Sequence, residues 1–230
     1  MASPVKKTVE LFYDVVSPYS WIAFEVLLRY QTKWNMDLKL KPFFLGAIMK
    51  ASGNQPPGVI PNKAAYIVQD LARCRNHFQV PLRIPSIPME MLFSPCYTLT
   101  AMRLLTAVDM RQPQFTEKLS RQLWLQLWNK DQNLQETDAL TEAAARAGLS
   151  ESLIASLVSS CEDGAVKNRL KLYTEEALDH GAFGAPTIVV HDADHKTHML
   201  FGSDRFHILA DILGQYTGLS CQGTIQNLLR

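Results

Sequence analysis

Two serines flank a proline and a tyrosine in Ser17-Pro18-Tyr19-Ser20. The run follows an apolar, β-branched and aromatic stretch and precedes residues with apolar spacing of a helix. A serine followed by proline suits a helix start: the hydroxyl caps a free amide, and proline in the first turn wastes none. A helix start also stabilises an anion, through its backbone N–H groups and the helix dipole. Ser17 is therefore a candidate both for a plain cap and for one wall of an anion site. A second candidate is Gly184-Ala185-Pro186-Thr187, a proline turn directly ahead of a β-branched run. A third is Ser203-Asp204, expected to open the last helix. Its amides and hydroxyl suit a carboxylate, and its aspartate suits an ammonium. By spacing alone this pair reads as an ordinary cap with an acidic first turn.

Metal and dithiol chemistry find less support. His191, His195 and His198 cluster, yet Ala193, Asp194 and Lys196 among them read as a hairpin turn rather than a ligand set. No C-x-x-C pair exists, so Cys74, Cys96, Cys161 and Cys221 make neither a zinc knuckle nor a dithiol centre. They are expected to be reduced, structural thiols. No metal and no tightly held cofactor is expected.

The elements that must position these residues follow from periodicity. Residues 9–15 read as a buried strand, Trp21 to Trp34 as a helix, and residues 38–44 as a second strand. A crossover one helix long makes a βαβ unit with parallel strands. A turn-rich stretch from Gly53 to Pro61 follows. From Lys63 to about Leu178 the pattern is helical, over 64–78, 99–110, 114–128, 137–147, 150–161 and 167–180. Thr137 reads as a cap and Gly148 as a helix-ending glycine. Trp124 and Trp128, one turn apart, read as packing rather than as walls of a site. Thr187–Val190 and His198–Phe201 read as antiparallel strands joined by the turn from Asp192 to Lys196. A last helix presents Phe206, Leu209, Ala210 and Leu213. Each end of the chain thus holds half a sheet that cannot bury its faces alone. Residues 1–63 and 179–230 are expected to form one discontinuous domain, with 64–178 as an inserted all-helical domain.

Composition narrows the function. The chain has 230 residues, 47% apolar and 20% charged, with net charge +1. That balance argues against a dedicated nucleic-acid or membrane-surface binder. No stretch of 18 apolar residues predicts a membrane span. Met1 to Thr8 lacks the apolar core of a signal peptide, so an intracellular protein is expected.

The segment Leu11-Phe12-Tyr13-Asp14-Val15-Val16-Ser17-Pro18-Tyr19-Ser20-Trp21 resembles the start of kappa-class glutathione transferases. Gly46-Ala47-Ile48-Met49-Lys50 with Ser52-Gly53-Asn54, Gly181-Ala182-Phe183-Gly184-Ala185-Pro186-Thr187, and His198-Met199-Leu200-Phe201-Gly202-Ser203-Asp204-Arg205 resemble that family as well. So do Ala101-Met102-Arg103 and Leu123-Trp124. The resemblance runs from about residue 8 to residue 215. It implies an α/β chain: a thioredoxin-like fold interrupted by a helical domain, as in DsbA. It implies a homodimer that binds glutathione as a cosubstrate and transfers it to a small electrophile, with weak peroxidase activity by the same thiolate.

Redox relatives carry C-x-x-C at this strand-to-helix corner, where Ser17 and Ser20 stand here. Dithiol exchange is therefore lost, while the anion site survives and suits a borrowed thiolate. Lowering a thiol pKa by about two units is worth roughly 2.7 kcal/mol. One charge-assisted hydrogen bond and a helix end together reach that size. Ser17 is the expected donor to sulfur, supported by Pro18 and the Tyr19 amide. The resemblance implies that Pro186 is cis and that Ala185 grips the cysteinyl unit of glutathione as a short added strand. The family usually carries a larger apolar residue at the position of Ala185. Ser203 and Asp204 then hold the γ-glutamyl end. Asn54, Lys63 and Arg205 match residues near the peptide, and Asp70 matches one that reaches a neighbouring subunit's ligand.

Two rivals remain at this point. A glutathione-dependent isomerase of the 2-hydroxychromene-2-carboxylate type would return glutathione unchanged. A non-catalytic DsbA-like module would grip extended peptides without glutathione. The resemblance also implies mitochondria, with peroxisomes second; the ending Asn227-Leu228-Leu229-Arg230 does not match a peroxisomal tripeptide. The stretch from Arg83 to Thr98 departs from the family pattern.

Overall fold

A computed structural model describes residues 6–87, 92, 94, 96–192 and 196–215. The expectations for Ala193, Asp194, His195, Cys221 and the C-terminal four residues lie outside these residues. Strand β1 (Lys7–Tyr13) is central. It pairs in parallel with β2 (Met36–Pro42) and antiparallel with β3 (Thr187–His191). Strand β4 (Thr197–Phe201) closes the order β2-β1-β3-β4, antiparallel to β3. Leu11 sits opposite Leu40 on one side and Ile188 on the other, so the two ends of the chain make one sheet. Both faces of β1 are covered. Tyr13 meets Phe24 and Trp124 on one face, while Phe12 meets Phe43 and His180 on the other. Val9, Leu11, Phe12 and Tyr13 are accordingly fully buried.

Helix α1 (Pro18–Tyr30) makes the crossover. Its buried residues, from Trp21 to Leu27, lie all around it, as befits a helix wedged between sheet and helical block. Helix α2 (Leu45–Ser52) follows β2 and stops at Gly53, whose φ of +70° is a left-handed cap. Helices α3 (Pro61–Phe78), α4 (Leu99–Arg111), α5 (Thr116–Trp128), α6 (Thr137–Arg146), α7 (Glu151–Ser159) and α8 (Gly164–Asp179) fill the chain between the halves of the sheet. Helix α9 (Phe206–Leu213) ends the described fold. The DsbA-like α/β architecture implied by the resemblance is the one observed.

Several boundaries differ from the sequence reading. Asp14 and Val15 lie beyond β1, because Ser17 N–H bonds Asp14 O at 3.0 Å and turns the chain. Helix α2 was not expected. Helix α3 starts at Pro61, so the boundary expected at 63/64 falls inside it. Thr137 is the first helical residue, and Glu136 takes the cap position. The last helix starts at Phe206 with Arg205 at its cap, not at Ser203-Asp204. The reason is a tertiary contact: Gly202 N–H bonds Pro186 O at 3.0 Å. Gly202 takes φ +96°, and residues 202–204 are drawn into a turn against the Pro186 loop.

Candidate active site

The corner after β1 is built by its own residues. Ser17 is the cap of α1, with φ −86° and ψ 115°, and Pro18 opens the helix. The Ser17 hydroxyl oxygen accepts Ser20 N–H at 3.1 Å. Its hydrogen goes to Ala185 O at 3.2 Å, across 168 residues of chain. The peptide bond between Ala185 and Pro186 is cis. Ser17 and the Ala185-Pro186 pair, singled out separately in the sequence, therefore face each other. In the first turn Pro18 has no amide hydrogen, Ser17 N–H goes to Asp14 O, and Ser20 N–H is capped. Tyr19 N–H is the donor of this turn left without a partner among the described residues.

Asp14 organises the corner from below. It is fully buried, and its two carboxyl oxygens accept Val16 N–H and Leu45 N–H, each at 3.0 Å. The Thr98 hydroxyl bonds it too. One side chain thus closes the turn before Ser17 and caps α2. Burial pushes its pKa up to about 6, against the opposing pull of these hydrogen bonds. Two tryptophans of α5 hold the corner's carbonyls: Trp124 Nε1 donates to Ser17 O at 3.2 Å, and Trp128 Nε1 to Val15 O at 3.3 Å. Both indoles are buried, and Trp124 stacks on Trp21 at 6.3 Å between ring centroids. The packing role expected for them holds, with a polar function added. Tyr13 donates to Ser120 Oγ at 2.7 Å, since the Ser120 hydrogen goes to Thr116 O. Burial raises the Tyr13 phenol far above its ordinary range, so it stays protonated.

The surrounding residues divide into two groups. Asn54 Nδ2 donates to Phe183 O at 2.7 Å, which ties the end of α2 to the Ala185 loop. Phe201 packs at a tilt against Phe183, ring centroids 4.5 Å apart, and lies so close to Gly184 that a Cβ there would meet its ring at 2.8 Å. Ser203 is buried in the turn that Pro186 O anchors. Tyr19 OH donates to Asp70 Oδ2 at 2.8 Å, so Asp70 reaches the corner of its own chain. Burial, then the Asp70 carboxylate, raises the Tyr19 phenol. The second group stays at the surface. Lys63 is exposed in the first turn of α3. Arg205 Nη1 bonds its neighbour Asp204 at 2.6 Å, and both are largely exposed.

The histidines read as turn residues have carboxylate partners: His191 with Glu10 at 2.8 Å and His198 with Asp192 at 2.9 Å. Glu10, Glu176 and His180 do offer three ligand atoms close together. The Lys41 ammonium already lies 3.1 Å from Glu10 and 2.7 Å from Glu176, and so supplies the cation there. Cys74, Cys96 and Cys161 are free thiols. The polar Tyr13-Asp14 pair at the strand end reads in the sequence as orienting the corner, and the bonds from Val16 N–H and Leu45 N–H to Asp14 agree with that role, whereas the indole bonds of Trp124 and Trp128 to the corner's carbonyls were not anticipated. Only Asp14 carried a local signal, an aspartate two residues before a free amide in a turn.

A strand-to-helix corner facing a cis-proline, with helices inserted between the halves of the sheet, is the architecture of the DsbA-like class of the thioredoxin fold, here with Ser17 at the corner. The DSBA-like thioredoxin domain family model matches residues 8–214. The chain is 45% identical over 212 residues to human glutathione S-transferase kappa 1, covering 92% of this chain and 93% of that protein. It is 45% identical over 214 residues to the Rattus norvegicus protein of the same name, with the same coverage. The chain belongs to the kappa glutathione transferases. A solved 2-hydroxychromene-2-carboxylate isomerase shares the fold with TM-score 0.71 at 19% identity, over 90% of this chain and 94% of that one.

Proposed function

We propose that this enzyme binds glutathione at the Ser17 corner, keeps its sulfur as thiolate, and transfers it to small electrophiles. The observation that carries the reading is the Ser17 hydroxyl, which caps α1 and reaches Ala185 O beside the cis-proline. A cysteinyl N–H arriving as an added strand can take over at Ala185 O, and the hydroxyl hydrogen is then free to turn to sulfur. Tyr19 N–H provides a second donor from the helix end. Together they favour the thiolate, the nucleophile of the transfer. The thiolate sulfur forms a bond to the electrophilic carbon, and the leaving group departs with its electron pair. Holding both reactants at one corner adds proximity.

In the same proposal Pro18 packs beneath the cysteinyl unit, and Ser203 and Asp204 meet the γ-glutamyl group. Asn54, Lys63 and Arg205 line the peptide. Asp70 completes the site or that of a partner subunit in a homodimer. Residues 1–63 and 179–230 act as the glutathione-binding domain and 64–178 as the insert. Weak peroxidase activity, with mitochondria as the compartment and peroxisomes second, belongs to the same reading. A fluorescent fusion scored against matrix and peroxisomal markers tests the compartment.

Ultraviolet absorbance of bound glutathione, titrated against pH, tests the site. The wild type should show a thiol pKa lowered by one to two units, with Ser17→Ala returning about one to two units of it, as loss of one charge-assisted hydrogen bond requires. An unchanged titration would remove Ser17 from the mechanism. Thiol consumed one-for-one with product separates transfer from isomerisation, in which thiol is conserved.

A further inference from the structure

Residues 71–89 carry Arg73, Arg75 and Arg83 and no Asp or Glu, in a chain otherwise balanced in charge. The fold bends this segment back on itself. Helix α3 ends at Phe78, Gln79 takes a left-handed conformation with φ +54°, and Val80 to Arg83 return against the end of α5. Arg83 N–H bonds Trp128 O at 2.6 Å, and Asn129 Nδ2 donates to Pro81 O at 2.7 Å. The bend borders an open cavity of about 320 Å³ lined by Arg75, Asn76, Arg83 and Asn129, among others. Neither guanidinium has an ion-pair partner among the described residues, although eight other described lysines and arginines pair with carboxylates outside their own immediate neighbours. The Asn76 side-chain amide is likewise without a partner there. The carbonyl end of α3 would repel an anion, but it is covered: Arg29 donates to Phe78 O and Gln79 Nε2 to Asn76 O.

We propose that this cavity is a binding site for a phosphate monoester, separate from the Ser17 corner. Two arginines and an asparagine line one opening, and guanidinium forks match the oxygens of a phosphoryl group two at a time. The volume exceeds what a bare phosphate fills, which leaves room for the esterified body against Pro81. The backbone of that wall is fixed to α5 by two hydrogen bonds, so the arginines are carried on a braced segment rather than a free loop.

Calorimetric titration of the full-length protein with inorganic phosphate and with phenyl phosphate, at constant ionic strength in chloride, tests this. Both should bind saturably at one site per chain, phenyl phosphate more tightly. Arg75→Gln and Arg83→Gln should each weaken binding about tenfold or more, one charge-assisted bond being of that order. Both arginines are exposed, so these variants should keep the wild-type melting temperature, and that is measured alongside. Ser17→Ala should bind phosphate as the wild type does, which separates this site from the glutathione reading. Heat no different from added chloride, or affinity unchanged in Arg75→Gln with Arg83→Gln, would overturn the proposal. Phosphate binding without phenyl phosphate binding would overturn the assignment to a monoester.

Discussion

Replacing Asp14 by Asn should change how stability depends on pH. The carboxyl is fully buried, and its pKa is pushed up from an ordinary 3.8 to about 6. A raised carboxyl binds its proton more tightly in the folded protein than in the unfolded chain. Its contribution to stability is therefore complete below pH 3.8 and is lost as pH rises through 6. The gap is worth about 3 kcal/mol in all, of which about 2 kcal/mol falls between pH 4 and pH 7. Asparagine keeps one acceptor oxygen but turns an N–H2 towards an amide or hydroxyl that needs an acceptor. That cost is the same at every pH. Urea unfolding of both proteins at pH 4, 5, 6 and 7 reads the difference directly. The stability advantage of wild type over Asp14→Asn should shrink by about 2 kcal/mol across this range, with the steepest change from pH 4 to 6. A difference that stays constant with pH would refute the account of a buried, proton-binding carboxyl beneath the corner. The perturbation has a functional side as well. Asp14 braces both the turn before Ser17 and the start of α2, so the variant should also raise KM for glutathione at pH 7.

Three further outcomes follow from the geometry. Trp124→Phe removes the indole hydrogen bond to Ser17 O, although Trp21 N–H still reaches that carbonyl; a stability loss of about 1–3 kcal/mol in urea and a lower kcat are expected. Gly184→Ala places a methyl against the Phe201 ring, which must move, so KM for glutathione should rise several-fold while the melting temperature falls by only a few degrees. Ser17→Cys combined with Ser20→Cys restores a C-x-x-C at a helix start; thiol counting should show a disulfide that forms under mild oxidation, and its failure to form would mean that the corner no longer has dithiol geometry.

The order of elements was legible because it rests on local periodicity. Alternating and helical spacing identify β1, α1, β2, β3, β4 and most of the inserted helices without knowledge of their neighbours. The cap at Ser17 was legible for the same reason: hydroxyl, proline and apolar stripe are adjacent in the chain. What escaped depends on contacts between distant segments. Helix α2 is eight residues long with no side-chain cap of its own, and its first amide is satisfied by Asp14, 31 residues earlier. Ser203 and Asp204 looked like a helix start, but Pro186 O takes the Gly202 amide and holds them in a turn.

The sequence by itself determined the strand-to-helix corner, the missing dithiol, and the parallel and antiparallel halves of a sheet, since each follows from residues next to one another. Tertiary structure alone decided that the Ser17 hydroxyl would meet Ala185 O, that two tryptophan indoles would hold the corner's carbonyls, and that Asp14 would be buried under it. Those are pairings across a hundred residues or more, or burial produced by them. A hydrogen bond between segments so far apart is encoded by the packing of the whole core, and no local pattern carries it.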